Sequence, residues 1–260
     1  MSTPHDPEQY KMGLLEHLRE LRKRLVYSCI AITIGALCAY YYSGYVFEIL
    51  CAPFFQGFGN SALIGTSPAE AWILKVKVAV FCGILAMSPV LFYQLWAFIA
   101  PGLYESERKL AIPFVLVSSA LFLGGAAFCY YMVLPLTFAF FHGEFLSINV
   151  TPTIRIGDHV AMTLVTLIGF GAVFELPLVT CILTRAGIID HNFLVRWYRQ
   201  AVVIIFIVAA VITPPDVLTQ LLMAGPLLLL YGVSILVARW AAPQGAHDSE
   251  APAATAPQPN

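Results

Sequence analysis

The sequence predicts an all-α polytopic membrane protein: a concave bundle of six transmembrane helices, both termini in the cytoplasm, with short fifth and sixth spans. Three observations predict it. Of the 260 residues, 59% are hydrophobic and only 11% charged, where soluble domains carry about 25% charged residues, and the mean hydropathy is +0.79. Stretches suited to a hydrocarbon core of about 30 Å recur along the chain. Residues 25–42, 78–104, 110–141, 200–213 and 217–238 carry no formal charge, and 159–183 carries only Glu175. Finally, 11 of the 14 Lys and Arg residues fall on the side that holds both termini, leaving Lys75, Lys77 and Arg155 on the other. Cytoplasmic loops gather Lys and Arg, which fixes the expected orientation.

Three regions follow: a cytoplasmic amphipathic segment over 1–24, a six-span membrane domain over 25–240, and a disordered cytoplasmic tail over 241–260. In the first, Leu14, Leu15, Leu18, Leu21 and Leu25 recur at helical spacing with charges between them, so one helix with an apolar face runs into the first span. A charged segment precedes that span, and no small-residue cleavage pattern marks it as a removable signal. The connection over 43–74 mixes apolar residues with Pro53, Gly57, Gly59 and Pro68 and is expected to form short interfacial pieces, a cap on the far side. Pro89, Pro113, Pro135, Pro177 and Pro226 each remove a backbone donor and favour kinks, the source of the concave wall. The fifth span has 14 residues before Pro214 and Pro215, about 21 Å of helix. Either it thins the bilayer locally, or residues 196–199 extend it with their charges at the interface. The Ala- and Pro-rich tail cannot build a core.

A formal charge of −1 and a pI near 6.6 exclude the basic footprint of a nucleic-acid binder. The six cysteines show no C-x-x-C pairing and lie mostly in apolar stretches, as packing residues do. No H-E-x-x-H, G-x-S-x-G or phosphate-loop motif occurs, so no catalytic residue, metal or cofactor is expected. Glu175 stands out, because an acid inside a span costs about 2.5–3.5 kcal/mol on insertion scales. It marks either a polar site for a guest helix or a proton, or a protonated structural residue bonded to backbone. Thr213 and Gln220 are candidate neighbours. Glu16, Glu20, Glu105 and Glu107 cluster on the cytoplasmic side, where carboxylates suit a ligand carrying guanidinium groups. Glu20 also lies three residues before Lys23 and four before Arg24, the spacing of an ordinary helix-surface ion pair.

Six motifs then occur in a telling order: L-x-E-L-R-K-R-L over Leu18–Leu25, T-S-P-A-E-A over Thr66–Ala71, S-P-V-L-F-Y-Q-L-W-A-F-I-A-P-G-L-Y over Ser88–Tyr104, E-R-K over Glu107–Lys109, F-E-L-P over Phe174–Pro177, and T-P-P-D-V-L-T-Q over Thr213–Gln220. This pattern, from about His17 to Arg239, resembles the TatC family, the multispanning signal receptor of the twin-arginine protein translocase. The resemblance implies a receptor, not an enzyme. Such a receptor binds twin-arginine signal peptides of folded precursors and nucleates a translocation complex driven by the proton-motive force.

By motif position, Glu20, Arg22, Gln94, Phe98 and Glu107 resemble the signal-binding patch, and Glu175 the intramembrane polar site. Thr213, Asp216 and Gln220 match positions where partner subunits dock, and Pro53 and Glu70 belong to the far-side cap. Implied partners are signal peptides, TatA-like and TatB-like single-span subunits, further copies of the chain, and lipid. The implied location is the bacterial cytoplasmic (inner) membrane. Gly232 departs from the Glu frequent at that family position, and Glu105 adds a charge outside the pattern. The alternative is a proton-coupled transporter of a small solute, although no internal repeat accompanies Glu175.

Overall fold

The computed structural model describes residues 14–59, 63–99, 111–185, 187–212 and 217–241. Helix α1 (Leu14–Tyr40) is continuous for 27 residues, so the charged segment and the apolar one form a single rod. It contains no proline to break it. After a turn at Tyr41 and Tyr42 comes α2 (Ser43–Phe58), with Pro53 buried inside it and Gly59 ending it at φ 60°. The expected interfacial pieces over 43–74 are therefore α2 and a two-residue strand, β1 (Leu63–Ile64).

Helices α3 (Glu70–Ala86) and α4 (Ser88–Ile99) form one bent pair, turned by 60° at Met87. The cause is local. Pro89 has no N–H to offer the carbonyl four residues back, that of Leu85, and the Ser88 hydroxyl donates to that carbonyl at 2.8 Å instead. Helix α5 (Ala111–Phe128) passes through one π-helical turn (Cys129–Val133) into α6 (Leu134–Ser147). Pro135 cannot donate to the Tyr131 carbonyl, and the widened turn absorbs the loss. The Tyr130 hydroxyl fastens this turn to α2 by donating to the Ile49 carbonyl at 2.7 Å.

Strand β2 (Ile154–Arg155) leads into α7 (Ile156–Phe174), and Glu175 separates that helix from α8 (Leu176–Arg185). The short α9 (His191–Arg196) starts at an Asp190 N-cap, and α10 (Tyr198–Ile212) and α11 (Val217–Ala241) complete the described chain. Among the described residues, four helices are long and apolar enough to cross a membrane: Glu16–Tyr40, Ile112–Ser147, Ile156–Arg185 and Met223–Trp240. The bent pair α3 and α4 makes a fifth, and α10 is a shorter apolar helix of 15 residues, about 22 Å. Helix α11 has 25 residues, with Pro226 inside it, and its stretch apolar enough to cross a membrane among the described residues is Met223–Trp240.

Helix α1 packs along α3 and α4, α2 against α6, α5 against α4 and α7, and α11 against α8 and α10. The approach of α1 to α3 depends on Gly35 and Gly83. A β-carbon on Gly83 would lie 2.7 Å from the Ala36 nitrogen, and one on Gly35 would lie 3.0 Å from the Gly83 α-carbon. Small residues let backbones meet in this way where lipid gives no hydrophobic drive to association. The core lies among α2, α3, α6 and α7, with Phe54, Val78, Leu134, Val160 and Phe170 at most 1% exposed. Large apolar side chains such as Leu37 and Val211 face outward instead, as in a bundle whose solvent is lipid.

Candidate functional site

The first cluster lies where the N-terminal half of α1 meets α4. Arg24 Nη2 donates to Glu20 Oε1 at 3.2 Å, one helical turn away, and its Nη1 donates to Gln94 Oε1 on α4 at 3.1 Å. His17 stacks on Phe98 with ring centroids 4.4 Å apart. Numbers rising on α1 meet numbers falling on α4, so the helices run antiparallel and present these side chains in two layers. Glu20 and Arg24 retain 19% and 26% side-chain exposure, a half-buried ion pair rather than a solvated one.

The structure thus brings together Glu20, Gln94 and Phe98. The residues that join them, Arg24 and His17, had no site role in the sequence reading. The i, i+4 spacing pointed to the Arg24 pair, but nothing in the sequence linked it to Gln94, 70 residues on. Arg22 is exposed and about 200° round the helix from Glu20, away from this cluster. Glu107 lies outside the described residues, as do Thr213 and Asp216.

The second position is Glu175, at the break between α7 and α8. Its backbone N–H donates to the Ala172 carbonyl at 3.2 Å while its own carbonyl accepts from Leu178 and Val179. Its side chain enters a cavity of about 140 Å³ walled by Phe92, Trp96, Phe114 and Ile182. The Ser118 hydroxyl lies beside the carboxylate, and Oε1 is buried without a hydrogen-bond partner. The expected neighbour Gln220 is elsewhere, because its Nε2 is engaged on α10, donating to the Phe206 carbonyl at 2.9 Å. That bond ties α10 to α11 and leaves Ser118 as the polar neighbour of Glu175. Ser118 had no sequence signal, being one of two adjacent serines in an apolar run.

The third cluster holds Glu70, one of the two residues expected in the far-side cap. Strands β1 and β2 pair in parallel, Leu63 with Ile154 and Ile64 with Arg155. Glu70 closes the assembly: Oε2 accepts from the Thr66 N–H at 2.6 Å, the Thr66 hydroxyl at 3.3 Å and the Ser67 N–H at 3.3 Å, and Oε1 accepts from the Gly157 N–H at 3.1 Å. Arg155 Nη2 donates to the Thr66 hydroxyl at 2.9 Å. A β-carbon at 157 would come within 2.5 Å of Glu70 Oε1, so a larger residue there would push that carboxylate aside. Pro53, the other, is buried in α2, which contacts α6 and α7.

A family model described as Sec-independent protein translocase protein (TatC) matches residues 16–226, most of the chain and all three clusters. The chain belongs to the TatC family. It is 42% identical over 231 residues to the TatC of Aquifex aeolicus, covering 88% of this chain and 96% of that one. It is 41% identical over 226 residues to the TatC of Campylobacter jejuni, covering 86% and 92% respectively. The crystal structure of the twin-arginine translocase receptor TatC superposes with a TM-score of 0.79 at 42% identity, over 87% of this chain and 99% of the other. A second crystal structure of that receptor, in DDM, gives 0.80 at 42% identity over 86% and 99%. This TatC-family chain is therefore a multi-pass membrane component of Sec-independent protein translocation, and the small-solute transporter finds no support among these relatives.

Proposed function

We propose that this chain is the signal receptor of a twin-arginine translocase, that it acts without catalysing a reaction, and that the α1–α4 cluster is where the signal's arginines bind. One observation carries the reading: Glu20 and Gln94, on two different helices, already hold a guanidinium between them. A planar guanidinium donates in a fork to both acceptors, which a single ammonium does with less geometric fit. Phe98 and His17 flank the pair, Glu107 joins the patch by family position, and Arg22 acts from another face of α1.

In this reading the chain crosses the membrane six times, α10 being the short fifth span, with both termini in the cytoplasm. Residues 1–24 form the receptor's cytoplasmic segment and 241–260 its tail. The host membrane is the bacterial cytoplasmic membrane. The signal's apolar stretch inserts toward the cavity of Glu175. TatA-like and TatB-like single-span subunits dock beside α10 and α11 near Thr213, Asp216 and Gln220, and copies of the receptor associate in a larger complex energised by the proton-motive force. Pro53 and Glu70 keep the far cap closed.

Photo-crosslinking in native-like membranes tests the receptor assignment, with a photoreactive residue replacing Leu21, which is exposed beside Glu20. A twin-Arg precursor is expected to crosslink strongly, a twin-Lys precursor weakly, and Glu20→Gln to abolish the difference. Equal crosslinking of both precursors to the unaltered receptor contradicts the assignment.

A further inference from the structure

Arg24 already engages both groups of this cluster that would receive a second guanidinium. Glu20 Oε1 is held by Arg24, and Oε2 is buried without a partner. Gln94 Oε1, the second acceptor, is also held by Arg24, whose Nε is buried and unpartnered. A signal arginine seeking the same two acceptors competes with Arg24 for them.

We propose that Arg24 is a resident guanidinium that fills the receptor's own arginine site, and that a signal arginine binds by displacing it, arginine for arginine. The inference rests on the receptor reading above. Arg24 is suited to leave because it sits at a helix surface with 26% of its side chain exposed, and a long stem lets its head swing into water. An incoming guanidinium regains both lost contacts, Glu20 and Gln94, so the exchange is nearly balanced. A lysine ammonium regains one well-formed contact and leaves the other acceptor open, so its exchange is uphill. The resident arginine thereby discriminates against lysine by making every ligand match what it displaces, a specificity obtained by raising the cost of the wrong partner.

The test measures equilibrium dissociation constants of synthetic twin-Arg and twin-Lys signal peptides for the full chain in lipid nanodiscs. Arg24→Gln removes the resident guanidinium. It is expected to tighten twin-Arg binding about fivefold and twin-Lys binding more than that, so that the ratio between the peptides narrows. Arg24→Lys keeps the charge and the Glu20 pair but does not span to Gln94, and its effect should fall between. Lys23→Gln makes the same change of charge on the neighbouring exposed residue, whose ammonium lies 5.9 Å over the Tyr27 ring, and should alter affinity less than about twofold.

Weaker or unchanged twin-Arg binding by Arg24→Gln overturns the exchange, as does an equal gain from Lys23→Gln, which would reflect net charge alone. Glu20→Gln separates the two levels of the reading. If it weakens binding while Arg24→Gln also weakens it, Arg24 is a fixed part of a genuine receptor site. If Glu20→Gln leaves binding unchanged, the receptor site itself is misplaced and the exchange falls with it.

Discussion

Glu20 and Glu70 are both half-buried carboxylates at helix positions near an end of the bundle, yet their partners differ in kind. Glu70 accepts three backbone N–H groups and one hydroxyl, all fixed by the chain's own turns. Glu20 accepts one guanidinium on a flexible stem, and its second oxygen has no partner. Backbone donors cannot leave without local unfolding, whereas a side-chain donor leaves by rotating about its own bonds. A carboxylate closed by backbone is a structural fastening; one closed by a mobile side chain is a site waiting for a ligand of the same chemistry. The Glu70 cluster is in this sense finished, and the α1–α4 cluster is not.

The largest expected effect of breaking this contrast is on binding. Glu20→Gln keeps the shape but removes the charge from a charge-assisted bond, and should weaken a twin-Arg peptide by about 2 kcal/mol, roughly thirtyfold in Kd, with little change in thermal unfolding. Glu70→Ala should do the reverse. It strips the partners of the Thr66, Ser67 and Gly157 amides and should lower stability, visible as faster hydrogen exchange at those three amides with peptide affinity preserved. His17→Ala removes the stack on Phe98 and should weaken signal binding by about 1 kcal/mol in the same titration.

The smallest effect is a third carboxylate that sharpens the rule. Burial pushes Asp190 up, but the His191 N–H, the His191 ring and the Asn192 amide together hold its pKa below the ordinary 3.8. Its contribution to α9 is present above the ordinary carboxylate range and is lost as pH falls through the lowered value. Hydrogen exchange in α9 should therefore be unchanged between pH 7 and 5 once corrected for intrinsic rates, and should quicken below about pH 4.

Much of this was legible in the sequence, for reasons that differ by residue. Uncharged runs and clustered Lys and Arg report the bilayer directly, so the membrane fold and most of its helices followed from hydropathy. Pro89 and Pro177 announced the breaks at Met87 and Glu175, because a missing N–H acts on its own helix. Pro226 lies inside a helix that continues past it, 25 residues in all. Contacts across the fold were not legible. The Arg24 bond to Gln94, the stack of His17 on Phe98 and the Glu70 bond to Gly157 join positions 70, 81 and 87 residues apart, and no local pattern encodes them. The same limit explains why Gln220 was offered as a neighbour of Glu175 while the packing of α5 against α7 supplies Ser118. Strands β1 and β2 were invisible because two residues carry no periodicity.

The most direct test of the α1–α4 cluster as the arginine site is a double-mutant cycle in nanodiscs between Glu20→Gln in the receptor and Arg→Gln at each signal arginine in turn. Direct pairing predicts a coupling energy of about 1–3 kcal/mol for one of the two arginines, with the second loss adding little once the first partner is gone. Strict additivity for both arginines would contradict it, placing the recognition of the pair somewhere other than Glu20.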